Sequence, residues 1–318
     1  MAQLQSQILV IFDYSGTLSI EAPDFGRPEN LASALEASGL AAVGVTDANI
    51  FWEKIIFPTW AEGSRTTIGY ARVIADRIAS LHLSSRAPST KNEVSCSSVD
   101  EAAQRFVTMY LDHSRMDLLW RPLLEKLHAD RNIVVVIATD HYAEATGAII
   151  RYLNDWGIAS TKAENNAASQ PASKQVVTAA ARGREALPED SVFSSSPGKS
   201  EKQARFSSVI VANSADLGFW KAERRFWELL EAQLSGWFRS VLIVDDFGFN
   251  EADANGYGKL ALVRDRRLRT KAVLRDVFQT SASTISFFLK SDEGNRKDDR
   301  TRKIRATIRR IKAAVLPS

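Results

Sequence analysis

Cysteine is almost missing from this 318-residue chain: Cys96 stands alone. One thiol excludes an internal disulfide and any cysteine-built metal site, and it fits a reducing, cytoplasmic setting. Its neighbours, Val94-Ser95-Cys96-Ser97-Ser98, hold no activating group, so the thiol reads as chemically idle. Histidine is scarce too. His82, His113, His128 and His141 are scattered, without the spacing of a histidine metal site. No apolar run approaches the ~18 residues of a membrane span. The first apolar run has no Lys or Arg ahead of it and reads as a strand, not a signal peptide. Excess charge is also lacking. With 41 basic and 38 acidic residues the net charge is +3, so neither a membrane nor a nucleic acid is the expected partner. What remains is an ordinary globular composition, 45% hydrophobic and 25% charged, long enough for one large or two modest domains. The oligomeric state stays open.

Three short apolar runs rich in β-branched residues lie at 8–12, 133–138 and 241–244, and a shorter one at 209–211. Helix-like segments separate them, which predicts an α/β fold with a parallel, Rossmannoid sheet. Chemistry in such sheets sits at the carboxyl ends of the strands. Those ends carry Asp13, Thr139 and Asp245-Asp246. Residues 19–118 contain helix-like stretches at 29–38, 47–57, 64–83 and 99–119 and read as a helical block inserted over the strand ends, a lid on connections near 19–28 and 118–122. Trp52, Phe57, Trp60 and Tyr70 are expected to build its own core. The core domain is then 1–18 with 119–285. Within it, 160–205 is polar and predicts a mobile loop, with one short helix near 173–182. Residues 286–318 form a polar, basic tail. There Ile304, Ile308, Ile311 and Val315 predict an amphipathic helix docked by its apolar stripe.

A carboxylate at the end of a buried strand is costly unless a cation, a substrate or a covalent intermediate uses it. Asp13 has that place in Ile8-Leu9-Val10-Ile11-Phe12-Asp13-Tyr14-Ser15-Gly16-Thr17-Leu18. The hydroxyl of Thr139 and nearby backbone N–H groups could bind an anionic oxygen. Lys221 follows the short strand and is expected to open a helix, where it could neutralise a carboxylate and a phosphoryl group together. Asp245, Asp246 and Glu251 cluster after a buried strand and suit Mg²⁺, a hard cation that prefers oxygen.

In this order the four segments resemble the four motifs of the haloacid dehalogenase-like (HAD) hydrolases. The resemblance covers roughly residues 1–18 and 120–262. It implies an α/β core with an inserted helical cap and a magnesium-dependent hydrolase of phosphatase type that acts on a small phosphorylated molecule. Asp13 would be the nucleophile. Mg²⁺ would be held by the Asp13 carboxylate, the Ser15 carbonyl and Asp246, with Asp245 and Glu251 alongside. Thr139 and Lys221 would hold the phosphoryl group, with Gly16 and Asp140 beside the substrate. Phe226 matches the aromatic after the motif lysine, Ala222 replaces its proline, and Ala254 and Gly256 fit the small residues after Glu251.

Ser15 departs from the phosphatase pattern, which has an acid at that position. A serine cannot protonate a leaving group or activate water as a carboxylate does. Three alternatives follow. A phosphonatase would need an imine-forming lysine, for which Lys54 is the candidate. A dehalogenase would need an arginine, for which Arg27 and Arg65 are candidates. A non-catalytic relative would keep the fold and bind a ligand or protein.

Overall fold

The computed structural model describes residues 7–84, 96–165, 208–234, 236–251, 258–289 and 296–316. Its strands are β1 (Gln7–Asp13), β2 (Ile133–Thr139), β3 (Ser160–Lys162), β4 (Val209–Asn213), β5 (Phe238–Asp245) and β6 (Ser281–Ser286). They form one sheet in the order β3-β4-β2-β1-β5-β6, and every pairing is parallel. β1 lies between β2 and β5, with Val10 opposite Val135 on one side and Leu242 on the other. Its side chains alternate between two cores. Ile8, Val10 and Phe12 enter the first, and Leu9 and Ile11 the second. Both faces are covered, which explains an unbroken apolar run where a half-exposed strand would alternate.

The order also places the site. From β1 the chain moves to β2, then out to β3 at the sheet edge and back to β4 beside β2. It then returns to the other side of β1 for β5 and β6. Connections leaving β1 and β5 therefore diverge, and a crevice opens outside their carboxyl ends. Asp13 ends one strand and Asp245 ends the other.

Between β1 and β2 lie α1 (Ala22–Phe25), α2 (Pro28–Ser38), a π-helical turn at Ile50–Ile56, α3 (Phe57–Gly63), α4 (Tyr70–Ser84), α5 (Cys96–His113) and α6 (Arg121–Ala129). Phe25, Leu35, Phe51, Tyr70, Ile74 and Phe106 build a third core within this block. Trp52 and Trp60 pack on its margin, whereas Phe57 is exposed. After β2 come α7 (Glu144–Asp155), α8 (Ser214–Leu217), α9 (Arg224–Gln233), α10 (Leu260–Phe278) and α11 (Arg296–Val315).

Two expectations change. Residues 160–162, at the start of the polar segment, form β3 against β4. From 166 to 205 that segment, with the short helix expected at 173–182, lies outside the described residues, as do Ala254 and Gly256. Residues 286–318 are also more than a tail, and the core before them ends in a further strand. β6 pairs with β5, Phe287 is fully buried, and α11 seats Ile304, Ile311 and Val315 in the first core. Its apolar stripe docks as the spacing predicted, against the main sheet.

Candidate active site

Asp13 leaves β1 with only 5% of the residue exposed. One carboxylate oxygen takes a hydrogen bond from the Lys221 ammonium, and Oδ2 is buried without a partner. The chain then turns sharply. The Gly16 N–H donates to the Ser19 carbonyl at 2.8 Å, and Gly16 adopts φ +72°, a left-handed conformation that glycine tolerates. A Cβ there would stand 2.6 Å from Asp246 Oδ2, so the backbone passes against a neighbouring carboxylate. Tyr14 and Thr17 hold the turn from the side. The Tyr14 hydroxyl donates to the Ser114 carbonyl, and the Thr17 carbonyl accepts from Trp120 Nε1 at 3.1 Å.

The end of β5 supplies two more carboxylates. Phe247, at φ 53°, and Gly248, at φ 77°, take left-handed conformations immediately after Asp245-Asp246. A bulky residue at positive φ is strained, and such strain collects at functional sites. The bend lets both aspartates accept backbone N–H groups from the loop that follows. Asp245 Oδ1 accepts from Phe247 at 2.5 Å, and Asp246 accepts from Gly248 at 2.9 Å and Asn250 at 2.7 Å. Asn250 ties this loop to the β1 turn by donating to the Gly16 carbonyl at 2.7 Å. Carboxylate oxygens of Asp13, Asp245 and Asp246 lie within 4.8 Å of one another. Behind them the Ser15 hydroxyl donates to Glu251 at 2.9 Å.

Lys221 lies in the turn before α9, three residues short of the helix it was expected to open. Its backbone N–H donates to Asp140 Oδ1 at 2.8 Å, and its carbonyl accepts from Trp227 Nε1 at 2.7 Å. Its ammonium reaches Asp13 and, at 3.2 Å, Asp245. Phe226 and Trp227, next along the chain, are fully buried in the second core and fix the turn from below.

Five acids, Asp13, Asp140, Asp245, Asp246 and Glu251, crowd round one lysine. Burial raises the Asp13 carboxyl to about 8; Lys221 opposes that rise, and Asp245 and Glu251 add to it. Burial also raises Asp246 well above the carboxylate range, with Asp13, Glu251 and Asp245 adding repulsion. Glu251 is raised by burial, with Ser15 and Lys221 pulling it back. Burial alone would lower Lys221, but Asp13, Asp245 and Asp140 together hold it well above its ordinary value. One positive charge does not balance this set, which is the electrostatic setting for a divalent cation.

The structure thus brings together Asp13, Ser15, Gly16, Asp140, Lys221, Asp245, Asp246 and Glu251. Thr139 ends β2, buried beside Asn213 in the register. Lys54 is exposed on the π-helical turn and takes no part in this network. Arg27 pairs with Asp24 at 3.1 Å, and Arg65 lies against the Lys221 turn. Sequence reasoning missed His141 and Tyr142, which follow Asp140 directly. The neutral His141 ring accepts the Tyr142 N–H on Nδ1 at 2.9 Å and meets the Tyr110 hydroxyl through Nε2. Burial lowers its pKa to about 4. Tyr142 stacks on Tyr70 with centroids 4.1 Å apart and so joins the helical block to the sheet. Their position directly after a motif strand was the one available signal.

No protein-family model and no curated protein matches the chain. Among solved structures it is similar to a 2-haloacid dehalogenase from Pseudomonas syringae pv. Tomato. The match has 15% identity and a TM-score of 0.41, and covers 82% of this chain and 99% of that one. The fold is the α/β, Rossmannoid parallel-sheet core with helices inserted after the first strand that the sequence predicts.

Proposed function

We propose that the chain is a magnesium-dependent HAD-type hydrolase, a phosphatase acting on small phosphorylated molecules. The observation that carries this reading is the Asp13 carboxylate, held on one oxygen by Lys221 and buried without a partner on the other. The donor set fits Mg²⁺, since three carboxylates converge and a bare buried oxygen waits among them. Asp13, Asp246 and the Ser15 carbonyl would hold the ion, with Asp245 and Glu251 beside them. When bound, Mg²⁺ would supply positive charge for the phosphoryl oxygens and offset the excess of acids.

The protein's own residues then divide the work. An Asp13 oxygen attacks phosphorus, the bond from phosphorus to the leaving oxygen breaks, and that oxygen takes a proton from solvent. Lys221 holds charge on the phosphoryl group, and Thr139 with backbone N–H groups near Asp140 receives another oxygen. Water then attacks phosphorus, releasing phosphate and restoring Asp13. Ser15 offers no acid or base for either step. Substrates with good leaving groups, such as acyl phosphates, are favoured, and the aspartyl-phosphate should persist. The helical block would serve as a cap that admits small substrates.

The commitment of the Ser15 hydroxyl to Glu251 favours one other reading, a non-catalytic relative that binds its ligand in the same crevice. Phosphate release from p-nitrophenyl phosphate and acetyl phosphate decides between them, measured with and without Mg²⁺ in wild type and Asp13→Asn. Mass spectrometry should find a phosphoryl adduct on Asp13. Magnesium affinity should fall in Asp246→Asn by more than the ~10–100-fold that losing a hydrogen-bond partner of a ligand costs. No release and no adduct under any condition would leave the binding reading in its place.

A further inference from the structure

The turn that carries Lys221 is gripped from the helical block. Ser64 and Arg65, between α3 and α4, reach across to residues 218–223. The Trp220 indole N–H donates to Ser64 Oγ at 2.9 Å, and Ser64 is fully buried. Arg65 Nε donates to the Gly218 carbonyl at 3.1 Å. Its guanidinium lies over the Trp220 ring, 5.0 Å from the centroid, and over Phe219 at 5.8 Å. Its far nitrogen stands 3.8 Å from Glu223. Glu223 closes the same turn, accepting the Trp220 N–H at 2.8 Å and donating its own N–H to the Trp220 carbonyl at 2.9 Å. Arg65 therefore touches residues at both ends of a six-residue loop and the ring in its middle. The residue after that ring is Lys221.

We propose that Arg65, with Ser64, is a positioning residue that sets where the Lys221 ammonium stands relative to Asp13 and Asp245. This rests on the reading of Lys221 as the group that neutralises the phosphoryl charge. Four hydrogen bonds fix the lysine from the sheet side: Asp140 on its N–H, Trp227 on its carbonyl, and Asp13 and Asp245 on its ammonium. Arg65 supplies the fixing force from the block side. A planar guanidinium does this through one face, one edge and one charge at once, which a lysine ammonium cannot reproduce. The seating of the helical block is thereby linked to the charge at the nucleophile.

The test reads Lys221 directly. Brief acylation with acetic anhydride, followed by peptide mass spectrometry, measures how fast its amine reacts, with Lys162 as the internal reference. In Arg65→Ala the Lys221 rate should rise roughly tenfold, the effect of losing a charge-assisted hydrogen bond. The Lys162 rate should stay unchanged. Arg65→Lys should recover only part of the protection. Ser64→Ala, which removes a single bond to the indole, should give a smaller rise and covers the case in which Arg65→Ala does not fold. With p-nitrophenyl phosphate, Arg65→Ala should lower kcat and kcat/KM together and leave KM nearly unchanged. An unchanged Lys221 rate in both alanine variants would overturn the proposal. So would a rise in KM alone, which would make Arg65 a substrate contact. Absence of phosphate release by wild type would instead remove the phosphatase reading, and accelerated Lys221 labelling would still establish the clamp.

Discussion

Under the proposed hydrolase reading, Ser15 is the position whose replacement should raise turnover most. Its hydroxyl donates to Glu251, so an aspartate placed there would meet another carboxylate at hydrogen-bond range. Ser15→Asp alone should therefore bring mixed gains, and Ser15→Asp with Glu251→Gln should do better by removing the repulsion. The double variant should hydrolyse p-nitrophenyl phosphate about 10²-fold faster than wild type, the low end of general acid–base effects. A double variant slower than wild type would show that Glu251 is needed as an anion. Asp140 gives a separate, pH-dependent signature. Burial raises its carboxyl from 3.8 to about 6, with Lys221 opposing the rise. Between those values the folded protein holds a proton that the unfolded chain has released, so this group's contribution to stability falls as pH rises through the window. Urea midpoints across pH 4 to 7 should decline less steeply in Asp140→Asn than in wild type. Parallel slopes would remove Asp140 from the account.

Among the elements, α11 is the one whose role the packing redefines. Ile304 and Ile311 are fully buried among residues of β1, β2 and β5. Each Ile→Ala substitution there should destabilise the whole protein by about 2–5 kcal/mol. A helix merely resting on the surface would lose no more than about 0.5 kcal/mol. Equilibrium unfolding of the two variants separates these cases. The connections of the helical block are similarly restrained. Arg300, on α11, pairs with Glu21 at 2.7 Å on one connection and with Asp117 at 2.6 Å on the other. The Asp117 N–H also donates to the Leu18 carbonyl at 2.9 Å. A freely hinged lid does not fit these contacts. Hydrogen exchange with and without a phosphate analogue should change near Ser64–Gly69 and the Lys221 turn, while Leu18 and Asp117 stay protected. Rapid exchange at Asp117 on ligand binding would restore a hinge there.

At the scale of the molecule, what could be read from sequence follows what is buried on both sides. β1, β2 and β5 announce themselves because helices cover both sheet faces, and their terminal acids stand out against that background. β6, Ser281–Ser286, carries Ile285 as its one large apolar residue among serines, an alanine and a threonine, and has β5 on one side alone, so little in its composition marks a strand. The carboxylate cluster was legible because each member follows a strong strand. The Arg65 clamp was not, because its bond to Gly218 joins residues 153 positions apart through a backbone carbonyl, which no residue type encodes. His141 and Tyr142 were hidden for the opposite reason. They stand beside a motif, but their partners Tyr110 and Tyr70 come from helices whose placement the spacing does not reveal.

The double grip of Arg300 bears on the order of events during synthesis. Arg300 follows Asp117, where the helical block ends, by 183 residues, and at ~5–20 residues per second roughly 9–37 s pass before the ribosome adds it. Throughout that interval the helical block is already made, yet the Arg300 ion pairs to its two connections are missing. The nascent chain therefore carries a block held at its connections by the Asp117–Leu18 backbone bond, without the two ion pairs that Arg300 later adds. Slowing translation within the codons for α11 should prolong that interval, and pulse proteolysis of stalled chains should find the connections cleavable until Arg300 has left the exit tunnel.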